Sequence, residues 1–129
     1  YRTSVIREKG YLVLGAELML VPGEKEEILA RMQELKRRRV EKQPLEYPSA
    51  GSAFKRPEGY FAGKLVQDAG LSGYAVGGAK VSEKHCGFLI NAGNATASDV
   101  MELIRQIQAK VKEQFGVQLE PEIQFLGNF

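Results

Sequence analysis

The sequence predicts an α+β fold, a small mixed sheet with packed helices and a hairpin ahead of it. Three observations carry this. Two long segments place apolar residues at helical spacing. Short apolar runs bounded by Gly, Pro or Ser lie around them. Their order after the hairpin is helix, loop, helix, two strands, helix, strand, without an internal repeat.

Composition bounds the function. The 129 residues suffice for one domain with a sizeable core, and apolar and charged fractions of 43% and 26% are those of a soluble globular protein. A net charge of +2 is too small to argue for a nucleic acid or an anionic membrane as partner. No apolar run approaches the ~20 residues that span a bilayer. The single cysteine, Cys86, excludes an intramolecular disulfide and suits a reducing cytoplasm; with His85 the only histidine, a Cys/His metal cluster is excluded too. The chain starts at Tyr1 without a signal-peptide pattern, which reads as a processed terminus or a fragment of a longer protein.

The elements follow in order. Ser4 to Arg7 reads as a short strand and Lys9-Gly10 as a turn. Tyr11 to Val21, mostly apolar, reads as a buried strand stopped by Pro22-Gly23. A lone hairpin of this kind is marginally stable in water, which again suggests further sequence. Glu24 to Glu41 reads as a helix, with Ile28, Met32 and Leu35 in register. Acidic residues at its start and Arg37-Arg38-Arg39 at its end match the helix dipole. The arginines could meet phosphate, but a solvated helix end is the plainer reading.

The stretch from Tyr47 to Pro57, Tyr-Pro-Ser-Ala-Gly-Ser-Ala-Phe-Lys-Arg-Pro, reads as a loop. Gly51 would let a ligand approach the backbone, Ser52 would present a hydroxyl, and Lys55 and Arg56 add charge. It is either an anion-binding turn or ordinary filler. Tyr60 to Ala69 reads as a short helix and Gly73 to Val81 as a strand whose glycines mark a bulge or a close backbone approach. The glycine order fits neither a dinucleotide fingerprint nor a phosphate loop. Cys86 to Asn91 reads as a strand. A strand points Cys86 and His85 to opposite faces, which argues against a nucleophile–base pair.

The last helix is the clearest. Thr96 or Ser98 caps it, and Thr96-x-x-Asp99 approximates a capping box. Val100, Leu103, Ile104, Ile107 and Val111 form one apolar stripe, and Gly116 ends the helix. Val117 to Leu126 reads as a strand weakened by Pro121, with Glu120 and Glu122 on one face by alternation.

The run Pro-Ser-Ala-Gly-Ser-x-Phe-Lys-Arg-Pro, followed by Gly59-Tyr60-Phe61-Ala62-Gly63-Lys64-Leu65, resembles the UDP-N-acetylenolpyruvoylglucosamine reductase (MurB) family. Tyr1-Arg2-x-Ser4, Val76-Gly77-Gly78-Ala79, Val81-Ser82-Glu83-Lys84-His85, Gly87-Phe88-Leu89-Ile90-Asn91 and Leu119-Glu120-Pro121-Glu122-Ile123 resemble further family segments in the same order. The resemblance implies a C-terminal fragment: residues 1–22 as the end of the FAD-binding domain, here its hairpin, and residues 23–129 as the substrate-binding domain. It implies FAD as cofactor, NADPH as reductant and UDP-N-acetylglucosamine enolpyruvate as substrate, with the N-terminal FAD-binding half missing and the chain alone inactive.

Three catalytic positions are implied. Ser52 is the proton donor, and Arg2 and Glu122 stabilise the enolate-like intermediate. Lys55, Arg56, Lys64, Lys84 and His85 are implied as contacts to the UDP-sugar, Arg56 suiting a diphosphate by its fork geometry. No metal is implied. Gln124 stands where the family is often basic, which puts any contact of that cation in doubt. The alternative is a stand-alone nucleotide-sugar or anion-binding module. Taken singly, the plain readings are a terminal cation at Arg2, a turn former at Ser52 and an exposed strand residue at Glu122.

Overall fold

Helices form wherever a segment satisfies its own backbone, and strands only where a neighbour is at hand. The chain divides into two units, Tyr1–Gln33 and Glu34–Phe129. The structure is a computed structural model, and it describes residues 4–127.

In the first unit the expected hairpin is not formed among the described residues. Val5–Lys9 is a five-residue helix, α1, and Tyr11 donates back to the Ile6 carbonyl at 2.9 Å across Gly10, whose φ is 65°. Tyr11 to Val21 pairs with no strand among the described residues, and Leu14 and Met19 are almost fully exposed. A strand must borrow its hydrogen bonds from a partner; a helical turn closes them locally. The unit also contains the start of helix α2 (Lys25–Lys42), with Glu26 and Glu27 in its first turn.

The rest of α2 belongs to the second unit. Two of its arginines, Arg37 and Arg38, are held by carboxylates on the same helix. Arg37 and Arg38 donate to Glu34 at 2.9 and 2.6 Å and hold its carboxyl down at about 2.

The second unit is built on a four-stranded sheet of order β1-β4-β3-β2: β1 (Ser49–Ser52), β2 (Ala75–Val76), β3 (Ala79–Val81) and β4 (Phe88–Asn91). Every pairing is antiparallel, so the sheet is not the mixed one expected. The connections explain two of these pairings: β2 and β3 are joined by Gly77-Gly78 and β3 and β4 by a short loop, whereas a parallel pair needs a long crossover. The single strand expected from Gly73 to Val81 is therefore a hairpin.

Helices α3 (Ala62–Asp68) and α4 (Ala97–Phe115) cover one face. Ala79, Val81 and Leu89 alternate inward and meet Leu65 and Val66 of α3 and Leu103, Ile104, Ile107 and Val111 of α4. Each valine, leucine and isoleucine among them contributes roughly 1.5–3 kcal/mol by leaving water. Leu119, also fully buried, brings the chain after α4 back onto this core. The strand expected from Val117 to Leu126 reduces to one bridge, Phe54 to Pro121. Proline removes the donor that would extend the ladder.

The start of α4 is fixed twice over. Asp99 N–H donates to Thr96 Oγ1 at 3.1 Å and Thr96 N–H donates to Asp99 Oδ2 at 2.9 Å, the reciprocal capping box. The helix ends at Gly116, left-handed at φ 69°. The β2–β3 turn packs against the segment leading into α4. A Cβ on Gly78 would lie 2.0 Å from the Gly93 carbonyl oxygen and 2.5 Å from the Ala95 nitrogen.

Gly78→Ala collides with backbone that cannot step aside, so it should destabilise the chain by more than about 2 kcal/mol in urea denaturation. Gly70→Ala, whose Cβ meets open space but whose φ is 73°, should cost only about 1 kcal/mol. Equal midpoints for the two variants would contradict this packing. Thr96→Ala should lose about 1 kcal/mol of cap. The Thr96 amide, then the Thr96 hydroxyl, hold the Asp99 carboxyl below its ordinary value. That stability is present above the unfolded-state pKa, roughly 3.9, and is lost as pH falls through the lower folded value. Asp99→Asn should flatten that part of the acid limb in a pH series of denaturation curves.

Candidate functional site

Ala53 is fully buried and held from both sides. Its N–H donates to the Gly87 carbonyl at 2.8 Å, and its carbonyl accepts from the Glu122 N–H at 2.9 Å. Its neighbours are thereby set between the loop ahead of β4 and the segment after α4. Ser52 is exposed and lies opposite Phe88. It ends β1, whose register shifts between Ser49 and Ser52. Gly51, at φ 88°, makes this shift possible, and the Ser49 hydroxyl secures it by donating to the Leu89 carbonyl at 2.7 Å and accepting from Gly51 N–H at 3.2 Å. The stretch expected to be a loop thus contains a bulged edge strand. Ser49 was not legible as its anchor; the Ser-x-Gly spacing is the signal that points to it.

Glu120 and Glu122 have different surroundings. Glu120 is exposed and forms an ion pair with Lys55, whose N–H also donates to the Glu120 carbonyl at 2.8 Å. Glu122 is half-buried, with Oε2 enclosed. Between them lies the Phe54–Pro121 bridge, flanked by Lys55 N–H donating to the Glu120 carbonyl and Glu122 N–H donating to the Ala53 carbonyl.

His85 is exposed and oriented. Its Nδ1 accepts from Gly87 N–H at 3.0 Å, which leaves the proton of the neutral ring on Nε2, and its ring meets Phe88 edge-on at 5.0 Å. A Cβ on Gly63 would lie 3.0 Å from Gly87 N and 3.2 Å from His85 Cε1. The start of α3, the His85–Gly87 loop, Ser52 and Glu122 therefore converge.

The remaining cations sit in different settings. Lys64 pairs with Asp68 one turn on. Lys84 pairs with Glu46 at 3.2 Å and lines a pocket of about 220 Å³ with Tyr47, Lys80 and Ser82. Arg56 pairs with no carboxylate among the described residues. Its Nε donates to the Tyr60 carbonyl at 3.2 Å, and its guanidinium lies 4.0 Å over the Phe61 ring. Arg2 lies outside the described residues. Among those described, no group of three or more His, Cys, Asp or Glu side chains could hold a metal ion, and no helix is long and apolar enough to cross a membrane.

A family profile, the UDP-N-acetylenolpyruvoylglucosamine reductase C-terminal domain, matches residues 43–126. The chain belongs to this family. Its relatives include the UDP-N-acetylenolpyruvoylglucosamine reductase of Agathobacter rectalis, 63% identical over 129 residues, which are all of this chain and 41% of that protein. The reductase of the same name from Caldanaerobacter subterraneus is 62% identical over 127 residues, 98% of this chain and 42% of its own length. The crystal structure of the Thermus caldophilus reductase (MurB) matches with 44% identity and a TM-score of 0.62, over 78% of this chain and 35% of that one. The chain thus spans about two fifths of the curated relatives it matches. The α+β fold and the resemblance read from the sequence both hold.

Proposed function

We propose that this chain is the substrate-binding part of a reductase that converts UDP-N-acetylglucosamine enolpyruvate to UDP-N-acetylmuramate in peptidoglycan synthesis, in the cytoplasm, with FAD as cofactor and NADPH as reductant. The observation that carries this is the Ala53 junction, which holds an exposed serine and an enclosed carboxylate on adjoining segments of a chain of this family. Family membership disfavours a stand-alone anion-binding module.

The described residues do not build a flavin cradle. The Gly77-Gly78 turn, the one glycine pair that could receive phosphate, is filled by the Gly93 carbonyl, the Ala95 backbone and the Asp99 carboxylate. The flavin site belongs to the N-terminal half of the complete protein. A bound flavin would supply the hydride; this chain handles the proton and the charge.

The Ser52 hydroxyl gives its proton to the substrate carbon next to the carboxylate. Serine is a weak acid, so the acceptor must be a strongly basic, enolate-like carbon. Water reprotonates the Ser52 oxygen. Glu122 and Arg2 stabilise the intermediate, the guanidinium by paired donors to the substrate carboxylate. The UDP group meets Arg56, with His85 Nε2–H, Lys55, Lys64 and Lys84 as further contacts.

Ser52→Ala in the complete enzyme should leave flavin reduction by NADPH intact and slow enolpyruvyl turnover by ~10²–10⁴-fold. Stopped-flow traces with both half-reactions unchanged would remove Ser52 from the role. Glu122→Gln keeps the shape and removes the charge, so it should slow the oxidative half-reaction. Glu120→Gln should change it little, because an exposed ion pair contributes under ~1 kcal/mol. The opposite ranking of the two variants would reassign the carboxylate.

A further inference from the structure

We infer that Phe61 is a positioning residue that prepares Arg56 for the diphosphate of the nucleotide-sugar; this rests on the reading of Arg56 given above. The other proposed phosphate-facing cations differ from Arg56 in one respect. Lys55, Lys64 and Lys84 each have a carboxylate beside them. A diphosphate would have to compete with that carboxylate. Arg56 instead carries its side chain across a turn. Tyr60 N–H donates to the Pro57 carbonyl at 3.2 Å, and Gly59 takes φ 74°, so the chain reverses and brings Phe61 under the guanidinium. The ring lies 4.0 Å from the guanidinium carbon, and Nε is taken by the Tyr60 carbonyl at 3.2 Å. One face and one edge of the fork are thus occupied by groups that carry no formal charge. The two Nη groups keep their donors for a bidentate anion.

Phe61 is exposed and is the cap residue of α3, with no side-chain cap hydrogen bond. Neither burial nor capping accounts for an aromatic here. A planar π-face does, because it fixes a flexible cation before the ligand arrives and lowers the ordering cost of binding.

The test uses the full-length enzyme and two probes, UDP and uridine, as competitive inhibitors against the enolpyruvyl substrate. Arg56→Ala should weaken UDP and leave uridine unchanged. Phe61→Leu keeps apolar bulk but removes the π-face, and should weaken UDP alone by about two- to fivefold. It should raise KM with kcat unchanged, while Phe61→Tyr restores the wild-type ratio of UDP to uridine affinity. If Arg56→Ala lowers the ratio and Phe61→Leu does not, the positioning role is wrong and the diphosphate reading stands. If Phe61→Leu weakens uridine as much as UDP, the ring serves the base and the inference is overturned. If Arg56→Ala leaves the ratio untouched, the diphosphate reading falls and takes the inference with it.

Discussion

The two hydrogen bonds at Ala53 are the constraint on which the rest of the site depends. A residue with no accessible surface cannot leave its amide or carbonyl unsatisfied without a cost of about 1–3 kcal/mol for each group. Gly87 and Glu122 satisfy them. This joins three stretches that are far apart in sequence, and the site residues next to Ala53, Gly87 and Glu122 inherit their positions from backbone geometry. The neighbouring contacts reinforce it. Ser49 fixes the bulge, Gly63 lets α3 approach Gly87, and Leu119 anchors the returning chain in the core.

The core beneath is what allows such precision. Helix α4 carries a single apolar stripe, a reciprocal cap and a left-handed glycine at its end. Its register against β2 and β3 is set at the point where Gly78 touches the Gly93 carbonyl, since backbone cannot yield there. Serine and glutamate in a catalytic pair gain little from being present and much from being held, because preorganised charge is stronger than charge that must reorient.

How much of this was legible follows from how local each signal is. The start of α4 was, because a capping box needs only residues three apart. The same holds for α2 and α3, whose apolar spacing is local. The strand Ser49–Ser52 was not, since Pro, Ser, Ala and Gly carry turn propensity, and pairing with β4 overrides it. The N-terminal hairpin failed for the converse reason: strongly strand-like sequence in Tyr11 to Val21 has no partner among the described residues. At the site, motif resemblance pointed to Ser52 and Glu122, but the exposure of Glu120 and the half-burial of Glu122 follow from contacts distant in sequence. The Arg56–Phe61 contact depends on a turn at Gly59 that spacing alone does not fix.

The sheet edges and the segment Tyr11 to Val21 have opposite consequences for handling this molecule. Strand β2 is two residues long and β1 is four residues with a bulge, so neither edge offers a flat ladder to another chain. Leu12 to Val21 offers the reverse: exposed leucines and valines, one charge at Glu17, and no proline until Pro22. Windows of this composition are the usual seeds of intermolecular β-association. A charge at Glu17 and the glycine at Gly15 are what interrupt this run, and each shortens the apolar window on either side of it.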